Sequence, residues 1–232
     1  MYKRQGVNEE LVGDQIFNGA ADNAAGVAAV IELARKFDQV QTERSIIFTA
    51  LTLEESGLLG SAYLAENPPF DLANVVAGFN FDRVLPTGKT KDMAVIGYGA
   101  SELEDYLEAE LEKQGRYINP DPNPEKGYFY RSDHISFAKK GVPVLYSDDG
   151  FDLEEGGIEE GLKEIYDYTN FRYHGVNDEY DPSWNLEGFE QTIDTIFNIS
   201  QDLSNSSDWP NWYEGNEFRA TRDAQLSSKN IP

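Results

Sequence analysis

The chain has 232 residues, of which 40% are hydrophobic, which is enough for one sizeable domain with its own core. It carries 42 acidic and 19 basic residues, and the net charge of −23 argues against nucleic acid or an anionic membrane surface as a partner. The sequence has no cysteine, which excludes disulfides, thiol catalysis and thiolate zinc sites.

The first part of the chain is polar. Residues 1–17 are predicted to be irregular, and the first five residues lack the pattern of a signal peptide. No apolar run is as long as a transmembrane helix. Two interpretations follow: a cytoplasmic protein, or a sequence that begins downstream of its natural start.

The next elements alternate between helices and strands. A buried helix is predicted over 24–35 with Asp22 or Asn23 as its N-cap, and a second helix over 58–66 stops before two prolines. Three short apolar runs predict strands: a buried strand at 45–53, which leads into Glu54 and Glu55, one at 75–82, which ends on Asp82, and one at 93–98.

The second half continues this alternation. Helices are predicted over 102–114 and 186–203, a rigid loop around Pro120, Pro122 and Pro124, a strand over 142–146, and an exposed acidic loop over 148–161. The order predicts an α/β layered fold with a mostly parallel sheet in one domain, 1–203. The tail 204–232 is polar and is predicted to fold back onto this domain through Trp209, Trp212 and Phe218.

Four acids lie at element edges, and each has a simple structural explanation. Asp22 fits a helix cap, the Glu54–Glu55 pair a solvated strand end, and Asp82 a turn residue. Of the two histidines in the sequence, His174 fits a surface residue and His134 a residue that holds a loop through hydrogen bonds. The joint occurrence of these acids and histidines at the edges of helices and strands nevertheless favours one shared site.

The functional interpretation of these residues is a divalent metal site. Carboxylate and imidazole ligands suit Zn²⁺, Mn²⁺ or Co²⁺, and adjacent acids such as Glu54 and Glu55 suggest one ligand and one proton carrier. An acid that is not a ligand takes a proton from the attacking water. The acidic surface suits either solvation or a substrate with a free ammonium group.

Several stretches resemble the co-catalytic zinc aminopeptidases of the aminopeptidase Y and bacterial leucyl aminopeptidase type. Glutamate carboxypeptidase, transferrin receptor and glutaminyl cyclase are more distant relatives. The resemblance is carried, in the family's order, by Asn18–Gly26, Leu53–Ser61, Asn80–Asp82, Arg131–His134 with Phe137 and Gly141–Pro143, and Tyr173–His174 with Asp178.

The resemblance implies a fold and a set of roles. The fold is a three-layer α/β/α sandwich around a mixed, mostly parallel sheet, here without its early N-terminal strands. Two zinc ions are implied, with Asp22 bridging them, Glu55 and His174 completing one site, and Asp82 in the other. Glu54 is implied as general base and later general acid, and Tyr173 as the group that polarises the scissile carbonyl.

One departure from the family pattern concerns the first metal ligand. The family has a histidine in a His-x-Asp motif shortly before a glycine similar to Gly6, whereas this chain has Met1–Gln5 there. The zinc site of Asp82 therefore lacks its imidazole, and one of the two ions is expected to be lost. We interpret the sequence as a fragment of a longer protein that is extracellular or periplasmic, while a short cytoplasmic protein stays open.

Three functions are therefore considered. The first is a metallo-aminopeptidase that hydrolyses the N-terminal peptide bond of a peptide through a metal-activated water, with Glu54 as general base. The second is a single-zinc transferase of the glutaminyl cyclase type, which needs only Asp22, Glu55 and His174. The third is a scaffold domain without catalysis. Substrate side chain and oligomeric state stay open.

Overall fold

The computed structural model describes residues 13–228. Within this range a four-stranded mixed sheet has the order β1-β4-β2-β3. Its strands are β1 Gly78–Asn80, β2 Asp92–Val95, β3 Tyr117–Pro120 and β4 Val144–Asp149. The pairs β1–β4 and β2–β3 are parallel, and the pair β2–β4 is antiparallel. The predicted mixed, mostly parallel sheet is therefore confirmed.

Helices lie on both faces of this sheet. They are α1 Ala25–Phe37, α2 Leu59–Glu66, α3 Leu103–Lys113, α4 His134–Ala138, α5 Gly157–Phe171, α6 Glu187–Ser204 and α7 Arg219–Ser228. Among residues 13–228 each helix is too short or too polar to span a bilayer. A five-residue π-helical turn, Ala20–Ala24, leads directly into α1.

Alternating side chains of β4 divide the core into two parts. Leu145 contacts one cluster, formed largely by the apolar faces of α1, α3 and α6. Val144 and Tyr146 point to the opposite face, where they pack in a second cluster with Trp212 and Phe218. Because successive side chains of a strand face opposite sides, this arrangement gives the three-layer α/β/α sandwich that was predicted.

The segment 45–53 is not the buried strand that its apolar sequence predicted. It lies outside the sheet and has no regular secondary structure, and Ile47 and Leu53 are each about half exposed. Ile46 packs against the core, and the exposed Phe48 contacts its edge, with 6.1 Å between the ring centroids of Phe48 and Phe37. A strand needs a hydrogen-bonded neighbour, and no strand among residues 13–228 pairs with this segment.

Other predicted elements need smaller corrections. Pro120 ends β3 rather than lying in a loop, and the acidic stretch 148–161 contains the end of β4 and the start of α5. Helices α4 and α7 were also missed, because α4 is very short and α7 is polar. The predictions made for residues 1–12, including the departure at Met1–Gln5, lie outside the described part of the chain.

Candidate metal centre

Three of the predicted ligands come together at one edge of the molecule. His174 Nε2 lies 2.7 Å from Glu55 Oε1 and 3.1 Å from Asp22 Oδ2. The three donor atoms lie within 4.8 Å of one another, and Asp22 is buried. They come from segments that are far apart in sequence, so this group is a product of the fold.

Asp178 fixes the position of Asp22 through the main chain. Its carboxylate accepts the amide N–H groups of Ala21 and Asp22, each at 3.0 Å. The Tyr168 hydroxyl donates to the same carboxylate at 3.3 Å, and the Ala20 amide donates to the Asp178 carbonyl. A buried carboxylate with several donors is rigidly held, so Asp178 serves as a support for the Asp22 side chain.

Asn23 connects Asp22 to the sheet. Its side-chain oxygen accepts the Gly26 amide in the first turn of α1, as expected for a helix cap. Its side-chain amide donates to the Phe81 carbonyl at 2.9 Å, directly before Asp82. A methyl group at Gly26 would come within 2.2 Å of the Asn23 oxygen, so glycine is required for this approach.

The turn after Glu55 brings this residue to the group. The Glu54 carbonyl accepts the Gly57 and Leu58 amides at 3.1 and 2.8 Å. The Gly60 amide donates to the Thr52 carbonyl, and a Cβ at Gly60 would lie 2.2 Å from that oxygen. The glycines of the Leu53–Ser61 motif therefore allow the chain to fold back tightly over the end of segment 45–53.

His174 sits between two carboxylates and an aromatic ring. Burial alone would lower the pKa of His174, but hydrogen bonds to Asp22 and Glu55 outweigh it and raise this pKa to about 9. The Tyr173 ring stacks on the imidazole with 3.6 Å between centroids. Burial and the nearby Asp22 raise the pKa of Tyr173, so its hydroxyl stays a hydrogen-bond donor at neutral pH.

Asp82 follows β1 and belongs to a different set of contacts. The Tyr146 hydroxyl donates to Asp82 Oδ2 at 3.3 Å. The neighbouring Arg83 forms a 2.9 Å ion pair with Asp148, a carboxyl whose pKa is raised by burial to about 6. Among residues 13–228, the donor atoms that lie close enough to hold one metal ion together come from Asp22, Glu55 and His174, and Asp82 is not one of them.

The other predicted residues lie near these elements. Glu54 is buried at the end of segment 45–53. His134 is buried in α4, where its ring lies 4.7 Å from that of Phe129 and 4.9 Å from that of Tyr146. Sequence reasoning predicted Asn23 as a possible cap of α1 but missed its bond to Phe81 and the supporting role of Asp178. An acid four residues after His174 was the available signal for Asp178.

The sequence of the chain also matches the model of a known protein family. The model of peptidase family M28 matches residues 6–200, which is most of the chain. The chain belongs to peptidase family M28. The predicted relationship to zinc aminopeptidases is thereby confirmed at the level of the family.

Individual relatives agree with this assignment. A probable zinc metalloprotease of Phaeosphaeria nodorum is 42% identical over 172 residues, which are 70% of this chain and 34% of the relative. The solved LapA aminopeptidase of Legionella pneumophila matches 85% of this chain with a TM-score of 0.63 at 19% identity. The aminopeptidase from Aneurinibacillus sp. strain AM-1 matches 89% with a TM-score of 0.60 at 22% identity.

The chain is shorter than these M28 relatives. It spans 49% and 48% of the two solved aminopeptidases and about a third of the curated metalloprotease. The structural matches establish the fold, and the family match establishes the class of protein.

Proposed function

We propose that this chain carries the metal centre of an M28 aminopeptidase, an enzyme that hydrolyses the first peptide bond of a peptide with a free N-terminus. The observation that carries the proposal is the group of Asp22, Glu55 and His174, whose donor atoms lie within 4.8 Å of one another. The names of the solved and curated relatives, aminopeptidases and a zinc metalloprotease, support the same reaction class.

The donor set fits zinc. Catalytic zinc sites use three protein ligands from imidazole and carboxylate groups and keep a fourth position open. Two carboxylates and one imidazole meet this requirement, and the support of Asp22 by Asp178 is typical of the outer partners of metal ligands. Zinc bound to this group would supply Lewis-acid polarisation of the scissile carbonyl and acidify water.

The chain's own residues would carry the protons. Glu54 lies next to the ligand Glu55 in sequence but outside the gathered group, so its carboxylate is assigned to proton transfer. It takes a proton from the attacking water and later gives a proton to the leaving amine. Tyr173, kept protonated by burial and by nearby carboxylates, is positioned beside His174 to donate to the carbonyl oxygen as negative charge develops.

Asp82 is assigned to a second, neighbouring ion. Among the described residues it contributes a carboxylate at the end of β1, with the Tyr146 hydroxyl as its partner. Without an imidazole beside it, this position is expected to bind zinc more weakly than the group of Asp22. One tightly bound ion per chain is therefore expected at low zinc concentration.

Substrate blocking tests the proposed reaction. The purified chain, loaded with zinc, is incubated with a panel of aminoacyl-p-nitroanilides and with their N-acetylated forms. Release of nitroaniline from the free amines alone is expected, because an aminopeptidase recognises the α-ammonium group. Equal cleavage of acetylated substrates would exclude an aminopeptidase. A chain that binds no zinc and cleaves none of the substrates after incubation with zinc would favour the scaffold alternative.

A single-zinc transferase is the second candidate. The gathered group of three donors would hold one ion, which is the number that a glutaminyl cyclase type of reaction requires. The two reactions differ in their products from a peptide that begins with glutamine. Mass spectrometry would show loss of the first residue for the peptidase and loss of ammonia, with the peptide bond intact, for the cyclase.

A further inference from the structure

The loop that follows helix α5 contains Asp178, and one arginine side chain spans this loop. Arg172 is the first residue after the end of α5. Its Nε donates to the Asn177 carbonyl at 3.3 Å, and its Nη2 donates to the Glu179 carbonyl at 3.1 Å. The guanidinium group therefore binds the carbonyl groups of the two residues that flank Asp178.

Two aromatic rings hold the guanidinium group of Arg172 in this position. Its central carbon, Cζ, lies 5.2 Å from the ring centroid of Trp184 and 6.0 Å from that of Tyr168. Trp184 is held in turn by an edge-to-face contact with Tyr180, with 5.5 Å between ring centroids. Because guanidinium groups are attracted to aromatic faces and their planar fork is pre-organised, these rings orient Arg172 for its hydrogen bonds.

Main-chain hydrogen bonds fold the same loop back on itself. The Gly175 amide donates to the Arg172 carbonyl at 2.8 Å, and the Asp178 amide donates to the Gly175 carbonyl at 3.3 Å. These two bonds end at Asp178. The bond from the Arg172 guanidinium group to the Glu179 carbonyl extends the hold past this residue, so that Asp178 is fixed from both sides.

The position of Asp178 matters because its two carboxylate oxygens accept separate main-chain amides. Oδ1 accepts the Ala21 amide and Oδ2 accepts the Asp22 amide, each at 3.0 Å. The Ala20 amide donates to the Asp178 carbonyl, also at 3.0 Å. Three consecutive amides thus bond to one residue of the loop, and a displacement of Asp178 would displace Asp22.

We propose that Arg172 is a positioning residue of the metal centre, which acts through Asp178 on Asp22. This role rests on the proposed function, which makes Asp22 a zinc ligand. The guanidinium fork fixes the carbonyl groups on both sides of Asp178 and so keeps its carboxylate aligned with the Ala21 and Asp22 amides. Lysine has the same charge but offers a single nitrogen in place of the planar fork, so it does not replace arginine here.

Hydrogen exchange of the zinc-free chain tests the positioning itself. In Arg172→Lys, the Ala21 and Asp22 amides should exchange at least about tenfold faster than in the wild type, because their acceptor is held less firmly. Arg35→Lys is the matched control, since Arg35 is an exposed residue of α1 that pairs with Glu32. Unchanged exchange of both amides in Arg172→Lys would overturn the proposal.

Zinc affinity tests the route through Asp178. Competition with a chromophoric chelator should show about tenfold weaker binding for Arg172→Lys and wild-type binding for Arg35→Lys. In the double variant Arg172→Lys/Asp178→Asn, the loss should be no larger than for Asp178→Asn alone, because both changes break the same support. Losses that add up would mean that Arg172 acts apart from Asp178, which contradicts the proposal.

Cobalt distinguishes a positioning role from a general loss of stability. With Co²⁺ in place of zinc, the visible absorption spectrum reports the geometry of the ligands. At saturating Co²⁺, Arg172→Lys should have a changed spectrum, whereas a wild-type spectrum would show that the ligands keep their places without the guanidinium fork and would overturn the proposal. A wild-type chain that binds zinc but hydrolyses no aminoacyl-p-nitroanilide would refute the proposed function alone, because the role of Arg172 is judged by exchange and metal binding.

Discussion

The two sides of the candidate metal centre differ in how their acids are held. Asp22 and Glu55 contact the His174 imidazole at 3.1 and 2.7 Å, and Asp178 anchors the backbone of Asp22. Asp82, in contrast, lies beside the Tyr146 hydroxyl and near the buried carboxyl of Asp148. The first side can hold a cation with residues already in place, whereas the carboxylates of the second are paired with a tyrosine hydroxyl and with Arg83.

Proximity of acids alone does not make a strong metal site. On the first side, each carboxylate faces a potential donor, and the histidine can exchange its proton for a metal ion. On the second side, burial raises the pKa of Asp148 to about 6. Variants on the two sides should therefore differ in their effects on turnover and zinc binding.

The largest effect is expected for Glu54→Gln. This change keeps the size of the side chain but removes the base, so turnover of an aminoacyl-p-nitroanilide should fall by about 10²–10⁴-fold. The measurement is kcat of the zinc-loaded variant against that of the wild type. Unchanged turnover would show that the buried acid beside Glu55 has no part in proton transfer.

Next in size are two ligand variants, one on each side. His174→Ala removes the only imidazole of the gathered group and should weaken zinc binding by more than about 100-fold, beyond the usual cost of losing an outer partner. Asp82→Asn should leave the tightest zinc equivalent unchanged. Competition titration with a chromophoric chelator measures both affinities. A comparable loss in Asp82→Asn would mean that the two sides form one site.

An intermediate effect is expected for Asp178→Asn. The amide keeps one acceptor oxygen but cannot accept both the Ala21 and Asp22 amides as the carboxylate does. Zinc affinity should fall by about 10–100-fold, as for other outer partners of metal ligands. Asp181→Asn, at an exposed acid three residues later, is the control and should bind zinc as the wild type does.

The smallest effect on zinc binding is expected for Asp149→Asn, which should change the stability of the fold instead. Burial raises the pKa of this carboxyl from 3.8 to about 6, although the Thr192 hydroxyl donates to it. A carboxyl with a raised pKa in the folded state binds its proton more tightly there, so its contribution to stability is lost as the pH rises from about 4 to 6.

Asp149→Asn should therefore raise the free energy of unfolding at pH 7.5 by about 1–3 kcal/mol, with little change at pH 4. Urea denaturation at the two pH values measures this, and zinc affinity should stay constant. Asp152→Asn is the opposite case, because hydrogen bonds from Tyr117 and Lys91 lower the pKa of Asp152 despite burial. A gain of stability in that variant would contradict the role assigned to burial.

Sequence reasoning was most successful where local pattern and tertiary structure agree. The small and apolar residues before Phe37 predicted α1, and the run that ends at Asp82 predicted β1. Segment 45–53 has an equally strong strand pattern, but strand formation depends on a hydrogen-bonded neighbour, which its own sequence does not specify. β3 escaped prediction because Pro120 indicated a loop, although an edge strand tolerates proline at its end.

For the site too, prediction succeeded where a local motif marks the residue and failed where a long-range contact decides its role. Asp22, Glu55 and His174 were found through their motifs, and the fold brings their side chains together. Asp178 supports Asp22 across 156 positions of sequence, a contact that no local pattern encodes. Whether Asp82 shares a metal ion with the others depends on distances between elements, which sequence order leaves open.

The most direct test concerns the division of the adjacent acids Glu54 and Glu55. Zinc is measured by mass spectrometry after dialysis of two variants, Glu54→Gln and Glu55→Gln, which make the same chemical change at neighbouring residues. Glu54→Gln should retain about one zinc per chain, and Glu55→Gln, which loses the carboxylate beside His174, should retain almost none. Equal zinc content in the two variants would contradict the assignment of one acid to the metal and the other to the proton.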